Sequence, residues 1–182
     1  EGDLLVFLPG MAEMRRVAER LDNVLADVRL LHGSLPTEEQ DAAIAPSTPP
    51  FRKVVLATDI AESSLTVEGV GVVVDSGLAR APRFDPRTGM TRLQTVPISK
   101  ASADQRAGRA GRLGPGVAYR LWSKMEHAAR RPHIDAEILE VDLAGLALEL
   151  AAWGTLDPND LRWLDPPPAS AWNEGVELLA LL

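Results

Sequence analysis

The stretch that decides the fold is VVLATDIAESSLTVEGVGVVV, residues 54–74. Two short apolar runs rich in valine, 54–57 and 70–74, enclose a polar loop, which is typical of strands buried on both faces of a sheet. A similar run, LLVFL at 4–8, precedes an amphipathic helical pattern that begins at Met11. This repeated alternation predicts an α/β fold: a doubly wound parallel sheet with helices on both faces.

Further segments extend the pattern along the chain. Residues 37–44 begin with a capping-box sequence and predict a short helix. The helical period disappears over 80–96, where the turn chemistry of Pro86-Arg87-Thr88-Gly89 predicts an inserted β-hairpin. A helix over 102–112 and a strand around 117–122 complete the first domain, and helices dominate the rest of the chain.

Composition excludes several classes of protein. Of the 182 residues, 46% are hydrophobic and 25% charged, which is typical of a globular domain and not of a disordered chain. The absence of cysteine rules out a disulfide framework and a thiolate metal site, and it is compatible with a reducing cytoplasm. The most apolar stretch, 138–153, carries three acidic residues, so we expect no membrane span. We predict no metal site in this chain.

Charge is distributed unevenly along the chain, whose net charge is −7. Residues 80–131 hold 12 basic and 3 acidic side chains, and 10 of the 12 are arginine. Arginine suits planar, bidentate contact with phosphate, so this basic block is compatible with an anionic ligand. It is equally compatible with a solvated surface that forms ion pairs with the acidic flanking segments.

The most unusual string is QRAGRAGR, residues 105–112. On a helix, Gln105, Arg109 and Arg112 fall within a narrow arc, whereas Arg106 points elsewhere. One face would then present an amide and two guanidiniums, a set that can orient water and neutralise a triphosphate. The alternative for this string is a basic surface helix.

A second polar cluster, residues 58–69, directly follows the apolar run at 54–57. Its hydroxyls and carboxylates should lie at the carboxyl end of a strand, where open α/β sheets bind ligands. An ordinary polar loop is the alternative.

Together these strings resemble the second RecA-like domain of DEAH-box helicases. The resemblance covers residues 3–122 and is carried, in order and spacing, by LVFLPG, LHGSLP, TDIAESSLTVEGV, VVDSG, FDPRTGM and SKASADQRAGRAGR. The tail is similar to the winged-helix region of that family, most like its bacterial HrpB branch. The resemblance implies a C-terminal RecA-like domain at 1–123, a winged-helix-like segment at 132–168, and the start of a truncated helical domain at 169–182.

The resemblance implies that ATP binds between two RecA-like domains. Gln105, Arg109 and Arg112 would face the γ-phosphate and its attacking water. Ser64 would respond to the nucleotide state, Thr66 and Glu68 would lie near the ribose, and Ile44 stands where relatives stack an aromatic on adenine. The chain has neither a Gly-x-x-x-x-Gly-Lys-Ser/Thr loop nor an Asp-Glu-Ala-His string. We therefore expect an N-terminal RecA-like domain to supply the phosphate loop and the Mg²⁺ ligands, and this chain alone to be inactive.

The resemblance also implies RNA as a partner. The RNA contacts that it implies are Gly33, Ser34, Thr58, Arg83 and Arg87, the last two on the predicted hairpin. The expected function is that of an ATP-dependent RNA helicase that moves 3′ to 5′ in the cytoplasm. The alternatives are a non-catalytic RNA-binding module, in which the same basic face grips phosphate, and a protein-interaction scaffold.

Overall fold

The computed structural model describes residues 2–47, 50–63, 65–85, 90–112 and 114–181. They form two compact units. The first unit comprises Glu1–Arg80 and Thr95–Ile134, and the second comprises Ala81–Gln94 and Asp135–Leu182.

The first unit is built on a parallel sheet. Its strands are β1 (Asp3–Phe7), β2 (Ala26–Leu31), β3 (Arg52–Ala57), β4 (Val70–Asp75) and β7 (Val117–Arg120), and its helices are α1 (Met11–Arg20), α2 (Thr37–Ile44), α3 (Lys100–Gly108) and α4 (Lys124–Ala129). The strand order is β2-β3-β1-β4-β7, and every neighbouring pair is parallel. The predicted α/β fold is confirmed.

Alternate residues of the central strands pack against opposite layers. Leu5 and Phe7 of β1 lie in one buried cluster with Ala43 of α2. Leu4 packs in a second cluster, on the other face, with Met14 of α1. Since successive strand residues point to opposite faces, α1 and α2 cover the two faces of the sheet, as predicted.

Two helices begin differently from the prediction. The capping box expected for α2 is wrong, because Pro36 occupies the N-cap and no side chain caps the helix. Helix α3 begins at Lys100, because Ser99 caps it by accepting a hydrogen bond from the Ser102 N–H at 3.1 Å. It ends at Gly108 rather than at Arg112, so only the first of the motif's two glycines lies in the helix.

The hairpin strands are β5 (Leu78–Asp85) and β6 (Met90–Pro97), which form a two-stranded sheet of their own. The strands of the predicted hairpin are thereby confirmed. Its predicted turn, Pro86-Arg87-Thr88-Gly89, lies outside the described residues.

The second unit contains α5 (Ala144–Trp153) and α6 (Ala169–Ala180), with single 3-10 turns at Glu137–Leu139 and Pro158–Asp160. The two helices share an apolar cluster formed by Leu143, Leu150 and Trp172. They approach closely at Gly175, where an added Cβ would lie 2.8 Å from the backbone nitrogen of Ala144. Helix α5 is capped at its C-terminus by Gly154, which adopts a left-handed φ of +104°.

Candidate functional site

The candidate site is built on the carboxyl edge of the parallel sheet. Strands β2 and β3 pair in parallel, with Leu31 opposite Ala57, so the segments that follow them emerge side by side. Thr58 follows β3 and is buried, whereas Gly33 and Ser34 follow β2 and are exposed. The structure thus brings three of the predicted RNA contacts to neighbouring strand ends.

His32 orders the segment that follows β2. Its Nδ1 accepts a hydrogen bond from the backbone N–H of Ser34 at 3.1 Å, and it lies 2.8 Å from the Ser34 hydroxyl oxygen. An Nδ1 that accepts the backbone hydrogen bond leaves the proton of a neutral ring on Nε2. His32 therefore fixes the turn that presents Gly33 and Ser34.

Arg109 and Arg112 bring the 105–112 motif onto the polar loop at 58–69. The Arg109 guanidinium donates to the backbone carbonyls of Glu62 and Leu65, the second at 3.3 Å. Arg112 donates from Nη1 to the Thr66 hydroxyl oxygen at 2.9 Å. The two motifs that the sequence singled out therefore meet at one site.

Burial lowers the pKa of Arg109, the positive charge of Arg112 lowers it further, and the Glu62 carboxylate opposes both effects. Desolvation and a neighbouring like charge both disfavour the protonated guanidinium. A bound anion would offset both costs, because it would return a negative charge to the site.

The sequence predicted that Gln105, Arg109 and Arg112 share one face of a helix, and this prediction is partly wrong. Gln105 lies exposed on α3 and Arg109 is the residue that follows its last position, but Arg112 is beyond the helix. The turn after Gly108 is tighter than an α-helix, with the Arg109 and Ala110 N–H groups bonded to carbonyls three residues back. Arg112 therefore joins the site through Thr66 and not through a shared helix face.

Arg106 points away from the other two arginines, as predicted, into the interior of the first unit. It is 1% exposed and donates to Glu62 Oε2 at 2.9 Å and Asp75 Oδ1 at 3.0 Å. Its guanidinium carbon also lies 4.8 Å from the centroid of the Phe7 ring. Sequence reasoning did not identify Glu62 and Asp75 as its partners, although it had located the segments that carry them: Asp75 ends β4, and Glu62 lies in the polar loop that follows β3.

The other residues predicted to lie near the nucleotide are not all at this site. Thr66 is at the site through Arg112. Glu68 is exposed, and its backbone N–H donates to the carbonyl of Ile44 at 3.3 Å. Ile44 is half-buried against the core beneath α2. Ser64 lies outside the described residues.

The predicted hairpin contact Arg83 belongs to the second unit, where it forms an ion pair with Glu140. Both side chains are about a third exposed or less, at 33% and 22%. Arg83 is thus engaged within its own unit. Arg87 lies outside the described residues.

Within the described ranges, no helix has both the length and the apolar character needed to cross a membrane. Nor do three or more His, Cys, Asp or Glu side chains cluster within those ranges in a way that could hold a metal ion.

Comparison with known proteins identifies the family. The model of the helicase conserved C-terminal domain matches residues 1–114. The chain is 48% identical to the ATP-dependent RNA helicase HrpB of Escherichia coli K12, over 100% of this chain and 23% of that protein. It is 40% identical to the probable ATP-dependent RNA helicase DHX34 of Homo sapiens, over 96% of this chain and 16% of that protein.

Solved structures agree with this result. A crystal structure of the E. coli DExH-box NTPase HrpB matches with a TM-score of 0.92 at 46% identity, over 100% of this chain and 23% of that one. A crystal structure of the Escherichia coli DEAH/RHA helicase HrpB matches with a TM-score of 0.94 at 48% identity, over 100% of this chain and 24% of that one. The chain spans about a quarter or less of the relatives it matches. The resemblance seen in the motifs is confirmed: this chain belongs to the helicase conserved C-terminal domain family, and its relatives are DEAH-box RNA helicases.

Proposed function

We propose that this chain is the C-terminal RecA-like part of a DEAH-box RNA helicase, here called the parent protein, which uses ATP hydrolysis to move along and unwind RNA. The observation that carries the proposal is the contact of Arg109 and Arg112 with the loop at 58–69. This contact supports the proposal because the loop follows the carboxyl end of β3, and open α/β sheets bind ligands at the carboxyl ends of their strands.

The chemistry of these arginines fits a polyphosphate. Each guanidinium carries five N–H donors. Arg109 bonds to two backbone carbonyls and Arg112 to a hydroxyl, and among the described residues neither forms an ion pair. Arg106 is the counterexample, since two carboxylates already neutralise it. Arg109 and Arg112 therefore keep the charge and the donors that a γ-phosphate needs.

In hydrolysis, Arg109 and Arg112 would neutralise negative charge as it develops on the transferred phosphoryl group, while Gln105 would orient the attacking water. In P-loop NTPases an arginine in this role contributes roughly 10³–10⁵ to the rate. We assign Thr66 and Glu68 to the neighbourhood of the ribose and Ser64 to sensing the nucleotide state.

The N-terminal RecA-like domain of the parent protein would be the partner that completes the site. Mg²⁺ would neutralise charge on the phosphates, and its ligands and the phosphate loop would come from that domain. Closure of the two domains would bring Arg109 and Arg112 to the nucleotide, which is how domain movement couples to hydrolysis.

RNA would run along the strand ends that carry Gly33, Ser34 and Thr58, where the hydroxyls of Ser34 and Thr58 are suitable donors to phosphate oxygens. Arg83 and Arg87 of the hairpin would add positive charge. For Arg83 to bind a phosphate it must release or share Glu140.

Three domain assignments belong to the same proposal: the RecA-like domain at 1–123, the winged-helix-like segment at 132–168, and the start of a helical domain at 169–182. The shared core of α5 and α6 supports an organised tail beyond the sheet. The lack of cysteine supports a place of action in the reducing cytoplasm.

The test is hydrolysis and strand separation by the parent protein. We expect ATP hydrolysis that RNA accelerates, and ATP-dependent unwinding of a duplex with a 3′ single-stranded overhang. RNA binding that neither requires nor changes with nucleotide, with no hydrolysis, would instead support a non-catalytic RNA-binding module. The absence of both RNA and nucleotide dependence would support a protein-interaction scaffold.

A further inference from the structure

Arg106 differs from the other arginines of its motif in having no access to a ligand. Its side chain is 1% exposed, and its two carboxylate partners are nearly as buried, Glu62 at 12% and Asp75 at 3%. It also donates to the carbonyl of Leu78 at 3.3 Å. A guanidinium held in this way cannot reach nucleotide or RNA, so its presence in the motif needs another reason.

On one side, Arg106 anchors the loop that supports Arg109. Glu62 Oε2 accepts from Arg106 Nε at 2.9 Å and from the Ser102 hydroxyl at 2.6 Å, so two residues of α3 hold this carboxylate. The backbone carbonyl of the same Glu62 accepts from the Arg109 guanidinium. The position of the Arg109 side chain therefore depends on a residue that Arg106 fixes.

On the other side, Arg106 anchors the base of the hairpin. Asp75 Oδ1 accepts from Arg106 and also from the Gly77 N–H at 2.8 Å, directly before β5 begins. Leu78, whose carbonyl Arg106 also contacts, is the first residue of β5. Arg130 joins the two ends of the hairpin, donating to the carbonyls of Gly77 at 2.8 Å and Ile98 at 2.9 Å.

We propose that Arg106 is a positioning residue that couples the loop supporting Arg109 to the base of the β5–β6 hairpin. This inference rests on the proposed function, because it assigns hydrolysis to Arg109 and RNA contact to the hairpin. A displacement of the hairpin base by RNA shifts Asp75 and Leu78, and Arg106 transmits that shift to Glu62 and hence to Arg109. The fork of a guanidinium is required, since one planar group must bond to two carboxylates at once.

The test compares Arg106→Lys with Arg120→Lys in the parent protein. Lysine keeps the charge but loses the fork in both variants. Arg120 is the matched control. It lies on β7 and donates to Asp104 of α3, the helix that carries Arg106, at 2.6 Å. Among the described residues, no hydrogen bond or ion pair joins Arg120 to the 58–69 loop or to the hairpin base. The readout is the ratio of RNA-stimulated to basal ATP hydrolysis. A loss of folded protein lowers both rates by the same factor and leaves that ratio unchanged.

We expect Arg106→Lys to lower the ratio by about fivefold or more, within the usual range of coupling between sites, and Arg120→Lys to leave it within about twofold. A ratio within twofold of wild type for Arg106→Lys overturns the inference alone. A wild-type parent protein whose hydrolysis RNA does not stimulate overturns the proposed function, and the inference with it.

Two isosteric variants keep the test decisive if Arg106→Lys does not fold. Glu62→Gln removes the charge partner on the loop side, and Asp75→Asn removes the partner on the hairpin side. Each should lower the stimulation ratio, and the double variant should lower it no further than the stronger single variant, because both act through Arg106. Multiplicative effects of the two substitutions, or an unchanged ratio in both, would overturn the inference.

Discussion

Substitution of Gly77 by alanine should destabilise the first unit more than any ordinary surface change. Gly77 lies at the base of the hairpin with a left-handed φ of +74°. A Cβ there would be 2.5 Å from Arg130 Nη2 and 2.6 Å from Trp122 Cε3. The Arg130 guanidinium lies over the Trp122 ring, 4.2 Å from its centroid, so neither group can move without losing a contact.

The expected magnitude is a sum of two costs. The left-handed conformation costs a non-glycine residue about 1–2 kcal/mol. Forcing a methyl group into a packed site costs about 1–3 kcal/mol more. Gly77→Ala should therefore lower the free energy of unfolding of the first unit by about 2–5 kcal/mol.

Amide hydrogen exchange in β4 and β7 measures this free energy locally, independently of the second unit. Gly108→Ala is the matched control, because a Cβ at Gly108 meets nothing within 4 Å. Its exchange should be unchanged or slowed, since alanine favours a helix by up to about 1 kcal/mol over glycine. Ordinary surface substitutions change the free energy of unfolding by about 0.5 kcal/mol or less. A Gly77→Ala variant whose free energy of unfolding lies within that range of wild type would refute the reasoning.

Three further predictions concern the rest of the chain. In urea unfolding followed by tryptophan fluorescence, Gly175→Ala should lower the free energy of unfolding by up to about 2 kcal/mol, because packing a methyl group against the backbone of α5 costs about 1–3 kcal/mol and alanine favours the helix by only about 1 kcal/mol; a higher free energy of unfolding would contradict the close packing. In RNA-binding titrations of the parent protein, Glu140→Gln should tighten affinity by up to about fivefold by releasing Arg83 from a partly exposed ion pair; unchanged affinity would argue against an RNA contact by Arg83. In an NMR titration, Ser123→Ala should raise the pKa of Glu126 only part of the way to its ordinary value, because it removes the side-chain hydrogen bond of Ser123 and leaves the backbone one, which is the larger cause of the lowering; because that pKa is lowered in the fold, the cap should stabilise α4 above the ordinary carboxyl pKa and weaken as the pH falls through the lowered one.

The central strands β1, β3 and β4 were predictable because each is a short, largely apolar run between polar turns, as is typical of strands buried on both faces of a sheet. The ends of α3 could not be predicted from the sequence. Ser99 begins that helix earlier than the apolar period indicates, and the tight turn after Gly108 ends it before Arg112. Caps and final turns depend on single hydrogen bonds, which periodicity does not report.

The candidate site was predictable as two motifs but not as a network. Residue types and spacing separated Arg106 from Arg109 and Arg112, and the structure confirms that separation. The partners of Arg106 lie 31 and 44 residues away in the chain, one at the end of β4 and one in the loop after β3, so only the strand order brings them to it. The pairing of Arg83 with Glu140, 57 residues apart, is equally invisible to local pattern.

The central claim is that Arg109 acts on the phosphoryl group during hydrolysis and not on RNA. Single-turnover ATP hydrolysis by the parent protein, at saturating RNA and ATP, tests it most directly with Arg109→Ala against the exposed control Arg15→Ala. We predict a fall of roughly 10³-fold or more for Arg109→Ala, no change for Arg15→Ala, and RNA affinity within about threefold of wild type for both. Hydrolysis by Arg109→Ala within about tenfold of wild type, together with a loss of RNA affinity, would contradict the claim and identify the arginine as an RNA contact.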